Sequence, residues 1–316
     1  MKVLANDGIA TSGVMELEAK GFKVDLTTVP QDQLVDYIND NEISVLLVRS
    51  ATKVRKDIID NCPTLKIIGR GGVGMDNIDV EYAREKGIKV INTPAASSHS
   101  VAELVFAHLF GLVRFLHESN RNMPLVGDTK FKDLKKSYAK GIELKGKTIG
   151  ILGFGRIGQA TAKVALGLGM KVVAFDPFLE AATLELEFFD HQTVFFNIKT
   201  ISKEDVLKQS DFISIHVPAQ NEYVISTKEF KIIKDGAFIV NAARGGVIDE
   251  VALVKAIESE KISGAALDVY ENEPTPEIQL LMNANLSLTP HIGAATGEAQ
   301  DRIGTELAHQ IIEILK

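Results

Sequence analysis

The stretch Thr148–Gly158, TIGILGFGRIG, limits the fold of this chain more than any other. An apolar, β-branched run leads into a glycine turn, and the turn leads into a helix. Gly153, Gly155 and Gly158 have the spacing GxGxxG, a weak signal alone and a strong one between a strand and a helix. Gly153 permits the tight turn, Gly155 lets backbone approach a pyrophosphate, and Gly158 allows close helix–strand packing. The amino end of the helix, with Arg156 beside it, offers N–H groups to phosphate oxygens. Asp176 ends the next strand, where a carboxylate accepts hydrogen bonds from a ribose and repels a 2′-phosphate. NAD is therefore expected rather than NADP. The motif nevertheless sits almost halfway along 316 residues, which leaves the preceding residues to be explained.

Those residues alternate in the same manner. MKVLA, FKVDLTTV, ISVLLVRS, LKIIGRGG and IKVINTP read as buried parallel strands, with helical patterns between them. After Thr148, the segments KTIGILG, KVVAFD, FISIHVP, AFIVNAA, GAALDV and LSLTPH read as a second strand series. Alternating β and α segments predict doubly wound α/β layers, and the length suits two domains. Ser97 to about Asn122 reads as one long, largely apolar helix that Ser100 and Glu103 cap, with Pro124 and Gly127 breaking the chain after it. Glu180–Lys199 fits no single pattern. Its Phe188, Phe189, Phe195 and Phe196 read as core or interface packing.

Composition excludes some classes. A net charge of −7 argues against a nucleic-acid or anionic-membrane partner, which needs a basic face. The longest apolar tract, VAELVFAHLFGLV, contains Glu103 and His108 and is too short to span a bilayer. The amino end lacks the apolar core of a signal peptide. The one cysteine, Cys62, suits a reducing compartment and reads as a buried small residue. A cytoplasmic location is expected.

A nicotinamide cofactor implies hydride transfer, and an alcohol that loses hydride also loses its hydroxyl proton. That requires a general base, and an anionic substrate requires a cation. Candidates fall at strand ends of the second series, where open α/β sheets bind ligands: His216, Arg244, Asp268, Glu273 and His291. Each also has a plainer reading. His216 fits a strand cap and is given no proton-transfer role; Asp268 fits a buried turn acid; Arg244 and Glu273 fit an ion pair; His291 fits a loop histidine. His99, His108, His117, His191 and His309 lack a comparable setting and read as surface or packing residues.

GFGRIG, Asp176, HVP, NAARGGVIDE, ALDVYENEP and TPHIGAAT together resemble the D-isomer-specific 2-hydroxyacid dehydrogenases, in order and spacing, over essentially the whole chain. VRSATKV and GRGGVGMDNIDV are most similar to the branch that oxidises D-3-phosphoglycerate. The resemblance implies two Rossmann-like domains, the cofactor domain inserted into a split, flavodoxin-like substrate domain. The substrate domain would be 1–98 with 292–316 and the cofactor domain 99–291, its 99–122 helix lying between domains or subunits. The active site would be the cleft between domains, and dimers would form through the cofactor domains.

The resemblance also implies roles. His291 is similar to the family's acid/base, Glu273 to its carboxylate partner, and Arg244 to the residue gripping the substrate's carboxylate and carbonyl oxygens. Backbone N–H groups of Gly72, Val73 and Gly74 resemble the carboxylate cradle, with Ser50 and Asn77 nearby. Asp268 resembles the residue holding the nicotinamide carboxamide. Val73, Ile157, His216, Val217 and Pro218 would also contact the cofactor, as would Ala242, Ala243, Gly293 and Ala294. Arg49 matches the family position near a substrate phosphate, and Lys135 and Lys136 would reach it too, or else be solvated cations.

The departures concern the hinge and the carboxyl end. NTPAASSHSVAE lacks the Gly and Asn that often follow NTP in relatives, and the sequence stops at Lys316, so no serine feedback through an appended domain is expected. Glyoxylate or hydroxypyruvate reduction is the alternative reading, and a dinucleotide-sensing, corepressor-like binding protein is a third. Formate dehydrogenases of the superfamily carry Gln at the Glu273 position.

Overall fold

Apolar runs become strands and the amphipathic stretches between them become helices throughout residues 1–316, described here by a computed structural model. The order is β1 (Lys2–Ala5), α1 (Thr11–Ala19), β2 (Lys23–Asp25), α2 (Leu34–Asp40), β3 (Ile43–Val48), α3 (Lys56–Asn61), β4 (Ile67–Arg70), α4 (Val80–Glu85) and β5 (Lys89–Asn92). Three helices follow, α5 (Ser98–Val113), α6 (Leu116–Val126) and α7 (Phe131–Ser137). Then come β6 (Thr148–Leu152), α8 (Arg156–Gly167), β7 (Lys171–Phe175), β8 (Ala181–Glu187), β9 (Thr193–Lys199), α9 (Lys203–Gln209) and β10 (Phe212–Ile215). The chain ends with α10 (Thr227–Ile232), β11 (Ala237–Asn241), α11 (Glu250–Glu258), β12 (Ile262–Leu267), α12 (Ile278–Leu281), β13 (Leu286–Leu288) and α13 (Gly297–Ile314).

The chain divides into two units, Met1–Ser100 with Ala294–Lys316, and Val101–Gly293. His99 and Ser100 thus belong to the first unit, and Ile292 and Gly293 to the second, two residues from the expected boundaries at either junction. The first unit holds a parallel sheet of order β2-β1-β3-β4-β5. Successive strand residues face opposite sides. Leu4, Leu46 and Ile68 meet Leu34, Ile38 and Ile58 on one face; Val3, Val45 and Ile67 meet Leu17, Ile303 and Ile311 on the other. The final helix is therefore part of this unit's core. α1 and α13 approach so closely that a Cβ on Gly13 would lie 2.6 Å from the Gly304 carbonyl oxygen.

The second unit holds a parallel sheet of order β13-β12-β11-β10-β6-β7. The chain leaves β6 for β7 on one side and later returns to β10 on the other. That reversal makes the carboxyl end of β6 the switch point where open α/β sheets bind ligands.

Two readings of the sequence are corrected. The single helix ending near Asn122 is two, α5 and α6, bent by 54°. Phe115 takes a left-handed conformation (φ 53°) between them, and the His117 ring folds back over Gly111, where a Cβ would lie 2.6 Å from Nε2. α5 begins at Ser98, so Ser100 and Glu103 lie inside it rather than capping it, and Pro124 sits within α6 instead of breaking the chain. Glu180–Lys199 contains an antiparallel hairpin, β8 with β9. Leu184, Leu186, Phe196 and Ile198 pack inward, whereas Phe188, Phe189 and Phe195 are exposed, which removes the core half of the core-or-interface reading. No single helix is long and apolar enough to cross a membrane.

Candidate functional site

The glycine loop at the end of β6 is built as its spacing requires. Gly153 has φ +90°, and a Cβ there would lie 2.5 Å from the His216 carbonyl oxygen. A Cβ on Gly158 would lie 2.2 Å from the Gly153 carbonyl oxygen. Gly155 has nothing within 4 Å of the equivalent position, and no side chain caps the α8 amino end that it precedes. This open cradle of backbone N–H groups fits a pyrophosphate. Arg156 is exposed beside it and Ile157 is half-buried. Asp176 is brought to the same loop: Oδ2 accepts the Phe154 N–H at 2.7 Å and Oδ1 the Phe178 N–H at 2.9 Å.

Behind the loop, the His216 ring is enclosed, its Nε2 3.2 Å from Thr161 Oγ1 and 2.8 Å from Ser214 Oγ. Burial pushes it down to about 3, so the ring is neutral near pH 7. Val217 and Pro218 follow at the end of β10. At the end of β11, Asn241 clamps a turn: its Oδ1 accepts the Ala243 N–H and its Nδ2 donates to the Arg244 carbonyl. Ala242 and Ala243 are buried there, and the Arg244 guanidinium donates to the Ala243 carbonyl at 2.6 Å.

His291 and Glu273 meet. Nδ1 lies 2.9 Å from Glu273 Oε2, and the side chains are 39% and 36% exposed, open enough for a reactant to reach. The Tyr270 N–H donates to Glu273 Oε1 at 3.0 Å. Burial would raise the Glu273 carboxyl, but the His291 hydrogen bond and charge, the Tyr270 N–H and the Arg244 charge outweigh it and hold the group below its ordinary value. With Nδ1 engaged by a carboxylate, Nε2 is the nitrogen left to exchange a proton with a ligand.

Asp268, 1% exposed, organises the loop that carries His291. Its Oδ1 accepts the Ile292 N–H and the Thr289 hydroxyl, and its Oδ2 the Gly293 N–H. It is indeed a buried turn acid, and the Gly293 N–H is occupied by it. Ala294, in the first unit, offers its carbonyl to Gln300 Nε2.

In the first unit, the loop after β3 is pinned from both sides. Asp7 Oδ2 accepts the Arg49 and Thr52 N–H groups, and Asn77 Nδ2 donates to the Arg49 and Thr52 carbonyls. Asn77 thus holds the loop with its amide, Ser50 is exposed on it, and Arg49 Cγ lies 3.6 Å from where a Gly71 Cβ would be. Gly72, at φ +148°, gives its N–H to the Arg70 carbonyl, so one of the three N–H groups expected to form a cradle is already engaged. Lys135 and Lys136 are exposed on α7. Cys62 is buried, and burial pushes its thiol up to about 11.

Sequence reasoning missed the residues that hold the others: Asp7, Asn241, Tyr270 and Thr289. Asp7, Asn241 and Thr289 follow or end strands, a position that marks loop-building polar residues; Tyr270 carries no such signal.

Residues 106–293 match the D-isomer specific 2-hydroxyacid dehydrogenase, NAD binding domain. A hydroxypyruvate reductase of Thermotoga maritima is 46% identical over 290 residues, spanning 90% of this chain and 88% of that protein. A D-3-phosphoglycerate dehydrogenase of Methanocaldococcus jannaschii is 40% identical over 321 residues, and there the chain spans 58% of the relative's length. A glyoxylate reductase from Paecilomyes thermophila has a similar structure, with a TM-score of 0.81 and 28% identity over 100% of this chain and 95% of that one. With the glycine cradle and Asp176 in place, NAD is the cofactor. The chain belongs to the D-isomer specific 2-hydroxyacid dehydrogenases and acts on a 2-hydroxy acid.

Proposed function

We propose that the chain oxidises D-3-phosphoglycerate to 3-phosphohydroxypyruvate, as a first step towards serine, in the cytoplasm. The observation that carries this reading is Arg49. Its main chain is pinned by Asp7 and Asn77, and its Cγ lies beside Gly71, which supports a cation near the expected anion cradle. In this reading Arg49 and Ser50 take the phosphate, with Lys136 as a further cation, and Val73 and Gly74 take the carboxylate.

His291 Nε2 accepts the proton of the substrate's 2-hydroxyl. Glu273 holds the proton on Nδ1 and stabilises the imidazolium that forms. Arg244 orients the oxygen that becomes a carbonyl, its planar fork matching carboxylate and carbonyl together. NAD, when bound, supplies the hydride acceptor. Exposed Phe110, Leu116, Met123, Leu125 and Phe131 on α5–α7 support a homodimer through the second unit.

Reduction of unphosphorylated hydroxypyruvate is the second reading, favoured by the 46% identity to the Thermotoga maritima reductase. NADH consumption with 3-phosphohydroxypyruvate beside hydroxypyruvate tests the two. A strong preference for the phosphorylated acid supports the Arg49 pocket. Equal rates or the opposite preference move the chain to the reductase branch, and no turnover with any 2-oxo acid returns it to the dinucleotide-sensing binding protein.

A further inference from the structure

The buried histidine of α5 has no part in the chemistry above, yet it is wired to it. His108 is 3% exposed. Its Nδ1 lies 2.8 Å from Ser287 Oγ and its Nε2 3.0 Å from Thr289 Oγ1. Thr289 donates its hydroxyl to Asp268 Oδ1 at 2.7 Å, and Ser287 Oγ lies 2.9 Å from Nε2 of the exposed His117. Five side chains form one row, from the start of α6 to the carboxylate that holds the His291 loop.

The row has a direction. A hydroxyl has one proton to donate. Thr289 gives its proton to Asp268, so it accepts from His108, and Nε2 carries the His108 proton. Burial holds the His108 ring below the ordinary histidine value, with the Asp268 charge opposing and His117 adding to the effect. The ring is therefore neutral and Nδ1 is an acceptor. Ser287 must donate to it, and His117 Nε2–H donates to Ser287. Every bond points towards Asp268, and hydrogen bonds aligned in series polarise one another.

At the receiving end the backbone is strained. His291 has φ 55°, a left-handed conformation that a non-glycine residue keeps only where its surroundings enforce it. The enforcing bonds are those from the Ile292 and Gly293 N–H groups to Asp268. We propose that His108 is a positioning residue: through Thr289 it fixes the Asp268 carboxylate, and Asp268 fixes the backbone that follows His291. The inference rests on the reading of His291 as the acid/base.

The test pairs His108→Leu, which keeps the bulk and removes both bonds, with His108→Gln, whose amide can donate to Thr289 and accept from Ser287. Amide hydrogen exchange is measured on the free protein, and NADH oxidation with the preferred 2-oxo acid beside it. In His108→Leu, exchange at Ile292 and Gly293 accelerates about tenfold, the size of one lost hydrogen bond, while β6 amides keep their rates. Turnover falls by a similar factor with KM within about twofold, and His108→Gln recovers most of both. Exchange that rises uniformly, or a lowered Tm with turnover unchanged, makes His108 a packing residue and overturns the proposal. Should His108→Leu fail to fold, Thr289→Val against Thr289→Ser breaks and restores the same link with the same expectations. A wild-type chain without turnover on any 2-oxo acid defeats the functional reading, whereas the amide exchange still decides whether His108 acts on Asp268.

Discussion

Replacing Glu273 by Gln preserves its shape and removes one charge, so its effect can be worked from the geometry. The carboxylate does two things at once: Oε2 faces His291 Nδ1 at 2.9 Å and Oε1 takes the Tyr270 N–H at 3.0 Å. Unit charges about 4 Å apart interact by ~1 kcal/mol in water and ~4 kcal/mol at a surface-like effective dielectric. With both side chains more than a third exposed, solvent screening places the charge contribution low, at about 1–2 kcal/mol. An amide also cannot accept on both sides. If its oxygen faces His291, its NH2 faces the Tyr270 N–H, donor against donor, and one bond of ~1 kcal/mol is lost. The sum of ~2–3 kcal/mol corresponds to a roughly 30- to 150-fold loss of turnover.

The assay is NADH consumption with the preferred 2-oxo acid across pH, with NADH affinity measured separately by fluorescence. The expected pattern is lower kcat with NADH binding unchanged, because Glu273 touches the histidine rather than the dinucleotide cradle. In the wild-type chain the Glu273 charge persists below the ordinary carboxylate range, so the pair stays intact on mild acidification. Turnover of Glu273→Gln within about threefold of wild type at every pH would refute the argument, since it would mean that neither the charge nor the double acceptance matters.

His291→Ala should lose most turnover while retaining NADH binding, read by the same two measurements. Asp176→Ala should lower the NAD-to-NADP efficiency ratio by about tenfold or more, because it removes the repelling charge and frees the Phe154 N–H that shapes the loop. Gly158→Ala should cost about 1–3 kcal/mol in denaturant unfolding and weaken NADH binding, since its Cβ would lie 2.2 Å from the Gly153 carbonyl; unchanged affinity would show that the loop yields freely. Stability should fall in acid. Burial would raise the Asp211 carboxyl, but Lys234 and the Thr148 N–H outweigh it and hold it below the ordinary value. A depressed folded value means stability that is present above about pH 4 and lost as pH falls through the folded value. Asp211→Asn should flatten that part of a Tm-against-pH curve.

The β/α alternation and the glycine loop were legible because each rests on residues adjacent in sequence. Strands such as Ile43–Val48 are apolar on both faces because both faces are covered, and Gly158 answers a contact with the Gly153 carbonyl a few residues before it. The α5–α6 bend was not legible. It depends on a left-handed Phe115, a conformation that hydropathy does not encode, and on room above Gly111 for a ring six residues later. The β8–β9 hairpin was obscured by its tip, where exposed Phe188 and Phe189 imitate a core segment.

The strand-end groups and the residues that hold them differ in the same way. Glu273 and His291 lie within eighteen residues of each other, on consecutive strand-end loops of one sheet, so a reading that looks for titratable groups at strand ends finds both. His108 lies 181 positions from Thr289, in an apolar helix where a lone polar residue reads as surface or filler. Nothing in the α5 periodicity distinguishes a histidine that merely fits from one whose two nitrogens are both in use. The distinction comes from β13, which brings Ser287 and Thr289 to opposite sides of the ring. Residues two apart on a strand face the same way, so one strand supplies both partners. The buried ring then has a fixed tautomer, and its bonds have only one direction in which to run.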